Sequence, residues 1–282
     1  MSNSKNSVQA RIKNLSKQLD VSVNVLLVTY FFDAFLLRLS KSVYLDNFIF
    51  KGGFYLSAII GIQNRYTQDL DFKLTGIKLE EKILEEMLKE IISIPVGDCI
   101  SFEFSAISAI RDEDQYGGYT VSLTGHLENI RQVISIDIAT GDPVTPEAVT
   151  YEYKRLLEDD ALHFKAYNIE TILSEKLQTI YHRGLLNSRS KDYYDVYVIR
   201  KLKMQEINVL NLKSAFVRTC DYRNTQFSKD EVMELIKNIL VNEQIAIRWN
   251  SYARKNSFAR GLKFEDVIAA CKEITEILFA AL

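Results

Sequence analysis

The stretch FIFKGGFYLSAIIGIQNRYTQDLDFKL, residues 48–74, carries the reading of the fold. FIFK is a short apolar run closed by Gly52 and Gly53, YLSAIIGI continues as one or two helical turns, and TQDLDFKL alternates as a strand does. In that strand Asp69 and Asp71 share one face, while Leu70 and Phe72 turn to the other, into a core. Two carboxylates on one wall repel each other unless water or a cation screens them. Mg²⁺ is the natural partner, since a hard cation takes oxygen ligands and keeps positions for substrate phosphates. Taken alone, Asp-x-Asp is more simply an exposed strand edge.

Asp137 shifts that balance. In VISIDIA, Ile134, Ile136 and Ile138 share one face, and Val133, Ser135 and Asp137 share the other. A carboxylate in so apolar a strand is costly to bury without a partner. If this strand pairs beside DLDF, three carboxylates converge, an arrangement that holds two metal ions for in-line phosphoryl or nucleotidyl displacement. Asp142, just beyond, reads as a turn residue before Pro143. Upstream, Lys51-Gly52-Gly53 ends a strand and opens a helix, so the backbone can approach an anion closely and helix N–H groups can meet it. Gly52 precedes Asp69 by 17 positions. The motif is not a P-loop, which needs GxxxxGK[ST].

Outward from this centre, residues 7–40 read as a buried helix interrupted by Asp33 and Arg38. LEEKILEEMLKEIISI is an amphipathic helix stopped by Pro95. Strands are expected at 100–110, 119–127 and 131–140, the first two joined through DEDQYGG. From 169 onward only helical periodicity is visible, over 169–183, 190–202, 206–219, 228–242, 243–254 and 264–281. The expected organisation is a helical lead-in over 1–45, a mixed α/β domain over 46–165 and an all-helical domain over 166–282.

Composition agrees with globular folding: 282 residues, 47% hydrophobic and 26% charged, with only 3 Pro, which excludes disorder and small disulfide scaffolds. No stretch suits a membrane span, the polar start MSNSKNSVQARIKNL has no signal-peptide core, and Cys99, Cys220 and Cys271 are spaced as reduced thiols. A cytoplasmic protein is expected. The net charge of -2 argues against a bulk nucleic-acid coat. Residues 1–168 balance at -6 (17 basic, 23 acidic) and residues 169–282 at +4 (18 basic, 14 acidic), which suits a polyanion at one surface and cations at another, although charge runs are usually just solvated faces.

In that half, Lys176 lies amid the apolar stripe Ile169, Ile172, Leu173, Leu177 and Ile180, so it either snorkels or meets a buried anion or phosphate. Gly184 stops its helix, and Ser190 is a candidate N-cap for the next, KDYYD. This region is the densest basic stretch, with Arg183, Arg189 and Lys191 as candidate RNA contacts. Tyr181, Tyr193, Tyr194 and Tyr197 interleave with them as stacking surfaces for bases. The histidines form no ligand cluster, and Trp249 reads as a packing residue.

KGGFYLS, RYTQDLDF, ISIDI and SEKLQTIYHRGLLNSRSKDYYD, in this order over residues 48–200, resemble the AbiEii/AbiGii toxin family of nucleotidyltransferase-like proteins. The resemblance implies a nucleotidyltransferase-like α/β (α+β) mixed-sheet fold with N-terminal helices and a helical C-terminal domain. It implies Asp69, Asp71 and Asp137 as metal ligands, with Mg²⁺ as cofactor and an NTP as substrate. Nucleotide contacts would come from Lys51, Gly52, Gly53, Arg65, Thr67 and Lys176. Asp192 would be the acid of the later motif, as general base or orienter, with Asp195 trailing it. The function implied is an NTP-dependent toxin that adds nucleotides to RNA, foremost the 3′ end of tRNA, neutralised by an antitoxin encoded next to it. Two rivals stay open: transfer to a protein or small-molecule hydroxyl, and a non-catalytic NTP-binding protein. The glycine turn departs from the family pattern in carrying GGF, without the hydroxyl of GS or GGT.

Overall fold

The computed structural model describes residues 5–110, 117–141 and 143–281. Two compact units divide the chain: Met1–Gly141 with Val149–Ala166, and Asp142–Ala148 with Tyr167–Leu282.

In the first unit, α1 (Lys5–Leu19) and α2 (Val23–Leu39) replace the single helix expected over 7–40. Asp20 takes a left-handed φ of 52°, and Ser22 caps α2 by accepting from the Val25 amide, which forces the break. α2 is buried almost throughout, and each charge within it has a partner. Arg38 grips Asp98 with two bonds of 2.8 Å and donates to the Ile100 carbonyl. Asp33 accepts from the Tyr153 hydroxyl and the Leu156 amide.

The strands β1 (Phe48–Lys51), β2 (Asp69–Leu74), β3 (Ser101–Ala109), β4 (Gly118–Leu127), β5 (Ile130–Ala139), β6 (Val149–Lys154) and β7 (Ala161–Ala166) form one mixed sheet. Its order is β3-β4-β5-β2-β1-β7-β6. β2 runs parallel to β5 and antiparallel to β1, and β7 runs parallel to β1. β6 and β7 were not expected as strands, although VTYEYK sets Val149, Tyr151 and Tyr153 on one face and Thr150, Glu152 and Lys154 on the other. The loop joining β3 to β4 lies mostly in 111–116, outside the described residues, as does Asp142.

α3 (Gly52–Ile60) follows β1 without a linker, and α4 (Glu81–Ser93) precedes β3. Phe48, Phe50, Phe72 and Phe164 are buried on the apolar side of the sheet, where Phe50 stacks on Phe72 at 5.3 Å and Phe35 of α2 meets Phe72. Burying each such ring contributes about 1.5–3 kcal/mol. That face anchors β2, so its alternate residues, Asp69, Asp71 and Lys73, must line the opposite one.

The second unit is helical: α5 (Ile169–Arg183), α6 (Ser190–Lys203), α7 (Val209–Tyr222), α8 (Lys229–Leu240), α9 (Glu243–Lys255) and α10 (Phe264–Ala281). Asn168, Asn208, Ser228 and Asn242 cap α5, α7, α8 and α9 through their side chains, which explains why these boundaries are readable from sequence. Trp249 is fully buried and donates to the Leu262 carbonyl. Among the described residues no helix is long and apolar enough to cross a membrane.

Candidate active site

The acidic wall is built by register. β2 and β5 align Asp71 opposite Asp137 and Asp69 opposite Ser135, so the condition set by the sequence, pairing of these two strands, is met. All three carboxylate residues are half-exposed, and Ile134, Ile136 and Ile138 fill the buried face. Asp137 is therefore not sunk into the core. The Thr120 hydroxyl of β4, its cross-strand neighbour, donates to Asp137 Oδ1 at 2.7 Å. Thr120 escaped sequence reading because only strand pairing brings it there.

Asp71 is held from the other side. Lys51 stands opposite it on β1, and the Gly53 amide donates to its Oδ2 at 3.2 Å. Gly52 adopts φ +67°, and a Cβ there would lie 2.2 Å from that same oxygen. Both properties require glycine: the left-handed backbone and the close approach to Asp71. A Cβ on Gly53 would meet Arg65 Nη2 at 2.9 Å and Thr67 at 3.4 Å. Arg65 is buried and also donates to the Tyr66 carbonyl, and the Thr67 hydroxyl accepts from the Asp69 amide at 3.4 Å. Arg65 and Thr67 thus brace the glycine turn against the acids.

The register leaves Asp69 one pleat from the Asp71–Asp137 pair. Among the described residues no three His, Cys, Asp or Glu side chains gather closely enough to hold an ion by themselves. Asp69 stands opposite Ser135, on the same face of β2 as Asp71. The donors are nevertheless hard carboxylate oxygens on a half-exposed wall beside backbone amides. That set suits Mg²⁺, which keeps several waters and shares its coordination with substrate phosphates.

The second unit holds the other candidates. Lys176, at the centre of the apolar stripe of α5, meets buried anions: Asp192 Oδ1 at 2.8 Å and Asp195 Oδ2 at 2.9 Å. Arg189 Nε reaches Asp192 Oδ2 at 2.9 Å. Both aspartates are fully buried. Burial opposes the Lys176 charge, but the two carboxylates outweigh it, and the ammonium is held above its ordinary pKa. Asp195, expected only as a trailing acid, is as close a partner as Asp192.

Two expectations for this region change. Ser190 is the first helical residue of α6, and its N-cap position is Arg189, with no side-chain cap bond. Tyr181, Tyr193 and Tyr194 do not face solvent; they are 4%, 1% and 2% exposed and pack among helices, so they offer no surface to a base. Only Tyr197 of the four is half-exposed. Alternation of Lys, Arg and Tyr along a chain does not show which of them share a helical face. Arg189 and Lys191 are exposed, and Arg183 is half-buried.

Comparison with known proteins gives the frame for these groups. Two solved structures share the fold: a Helicobacter pylori protein described as a candidate nucleotidyltransferase (17% identity, TM-score 0.54, covering 92% of this chain and 96% of that one) and Helicobacter pylori JHP933 (18% identity, TM-score 0.50, covering 92% and 93%). No curated protein matches the chain. The family described as nucleotidyl transferase AbiEii toxin, Type IV TA system, matches residues 34–270, which take in the glycine turn, the acidic wall and the Lys176 network. The chain therefore belongs to the AbiEii nucleotidyl transferase toxin family.

Proposed function

We propose that the chain transfers a nucleotide from an NTP to the 3′ end of an RNA acceptor, foremost tRNA, using Mg²⁺ at the Asp69/Asp71/Asp137 wall, in the cytoplasm. Family membership supplies the coarser statement: a toxin-type nucleotidyltransferase with an NTP substrate and an antitoxin counterpart. The observation that supports a cation-assisted transfer at this wall is the placement of Asp71 opposite Asp137, with Gly52 pressed against Asp71 and the Gly53 amide bonded to it.

In this reading Asp69, Asp71 and Asp137 would hold the cation, which supplies charge neutralisation on the triphosphate. Lys51 and the Gly52 amide bind phosphate oxygens, the Gly53 amide holds Asp71, and Arg65 and Thr67 keep that turn in place. The acceptor hydroxyl attacks the α-phosphorus, the bond from that phosphorus to the pyrophosphate bridging oxygen breaks, and pyrophosphate leaves. The hydroxyl proton passes to the Asp137 carboxylate, whose orientation Thr120 sets. Lys176 has three N–H donors. Two of them face Asp192 and Asp195, which fix the ammonium within the helical unit. Asp192, with one oxygen on Lys176 and the other on Arg189, acts as an orienter and not as a general base.

The test is incubation of purified protein with Mg²⁺, each of four α-³²P-labelled NTPs, total RNA and protein extract. Label in a tRNA-sized band supports the reading. Label in protein moves transfer to a protein hydroxyl into first place, and NTP binding without any transfer favours a non-catalytic role.

A further inference from the structure

A hollow of about 430 Å³ lies within the second unit, lined by Ser188, Arg189, Ser190 and Lys191 at the start of α6 and by Arg248, Ser251, Tyr252 and Lys255 of α9. No lining residue is acidic. The α9 contributors fall at i, i+3, i+4 and i+7, so they form one face of that helix and point the same way. Arg189, Lys191, Arg248 and Lys255 are all exposed, whereas the Tyr252 ring is tied to its neighbours Tyr194, Trp249 and Phe258. Arg248 donates to the Asn187 carbonyl, and the Arg189 amide donates to the Asn187 side chain, so the α9 face and the 187–191 turn are held as one wall. The charge of Arg189 is set against Asp192, and Lys191, Arg248 and Lys255 also line the hollow, with serine hydroxyls between them.

We infer that this hollow binds the phosphate backbone of the RNA acceptor, extending the acceptor contact from the 183–191 stretch to the Arg248/Ser251/Lys255 face of α9. The inference rests on the proposed RNA acceptor. A triphosphate is the other source of such anions. A nucleotide bound for transfer needs carboxylates to share its cation, and this hollow has none, whereas a backbone of successive single charges needs spread cations and hydroxyls. No base-stacking surface is required, which agrees with the burial of Tyr193 and Tyr194.

The experiment uses the full chain, a fluorescent tRNA transcript and anisotropy titrations between 50 and 200 mM salt, with NTP affinity measured separately. For three to four phosphate contacts the log–log salt slope of the wild type is about -2 to -4. Arg248→Gln/Lys255→Gln flattens that slope by about 1.4–1.8 and weakens RNA binding at every salt concentration, with NTP affinity preserved. Arg248→Lys/Lys255→Arg, which keeps both charges, retains the slope and guards against a folding artefact. An unchanged slope in the Gln variant, or loss of NTP affinity with RNA affinity intact, overturns the inference while leaving nucleotidyl transfer standing. Absence of any RNA binding by the wild type also overturns it. Transfer of label from NTP to another acceptor then decides separately whether the catalytic reading survives.

Discussion

Gly52→Ala tests the link between backbone and acidic wall. The added Cβ would fall 2.2 Å from Asp71 Oδ2, 2.4 Å from its Cγ and 2.6 Å from its Cβ, at a residue with φ +67°. Left-handed backbone costs a non-glycine residue about 1–2 kcal/mol. Displacing Asp71 adds an overpacking cost of about 1–3 kcal/mol, for a total near 2–5 kcal/mol. Asp71 cannot move without leaving its place opposite Asp137, and a misplacement of about 1 Å costs on the order of 10²-fold in rate. Chemical denaturation and NTP-transfer kinetics should therefore both respond. Because the clash is with the Asp71 side chain, Gly52→Ala in an Asp71→Gly background should cost only the backbone share, about 1–2 kcal/mol. Equal costs in the two backgrounds, or a Gly52→Ala protein as active as the wild type, would refute the argument.

Three other outcomes are expected. Lys176→Met takes the ammonium away from buried Asp192 and Asp195, with Arg189 still on Asp192, and should cost about 3–5 kcal/mol, seen as a lowered melting temperature that Asp195→Asn partly restores; an unchanged melting temperature contradicts the network. Thr120→Val removes the hydroxyl on Asp137 and should lower transfer about tenfold, with stability changed by less than about 1 kcal/mol, in parallel kinetics and denaturation; a stability loss with unaltered rate would place Thr120 in packing alone. Burial raises Asp33 from 3.8 to about 7, against the opposing hydrogen bonds from Tyr153 and Leu156. The fold then retains a proton that the unfolded chain releases, so this contribution is complete below about pH 4 and is lost as pH rises through 7. Relative to Asp33→Asn, wild-type stability should fall by about 2–3 kcal/mol between pH 5 and 8 in urea titrations, and a rise over that window sinks the assignment.

Local chemistry decided what could be read before the structure. The helices of the second unit were visible from their apolar periodicity, and the side-chain caps at Asn168, Ser228 and Asn242 fix where three of them begin. The alternation in β2 and β5 placed Asp69, Asp71 and Asp137 on one side of a sheet. Whether the strands are neighbours is a long-range fact, and so is Thr120 beside Asp137. The break between α1 and α2 was missed because apolar periodicity continues on both sides of it while a single residue, Asp20, reverses its φ. β6 and β7 were missed because ordinary edge and near-edge strands carry no motif. The α9 face was legible in principle, since Arg248, Ser251, Tyr252 and Lys255 repeat at helical spacing, but its meaning depends on the turn at 187–191 that it faces.

The central claim is transfer of a nucleotide by a carboxylate wall, and positional labelling tests it most directly. Parallel reactions with α-³²P and γ-³²P NTP, Mg²⁺ and tRNA, run on wild type, Asp71→Asn and Asp137→Asn, should label the RNA from the α position only. Pyrophosphate should be released in equal amount, and each variant should lose on the order of 10²-fold or more in rate. Label arriving from the γ position, or full transfer by Asp71→Asn, would contradict it.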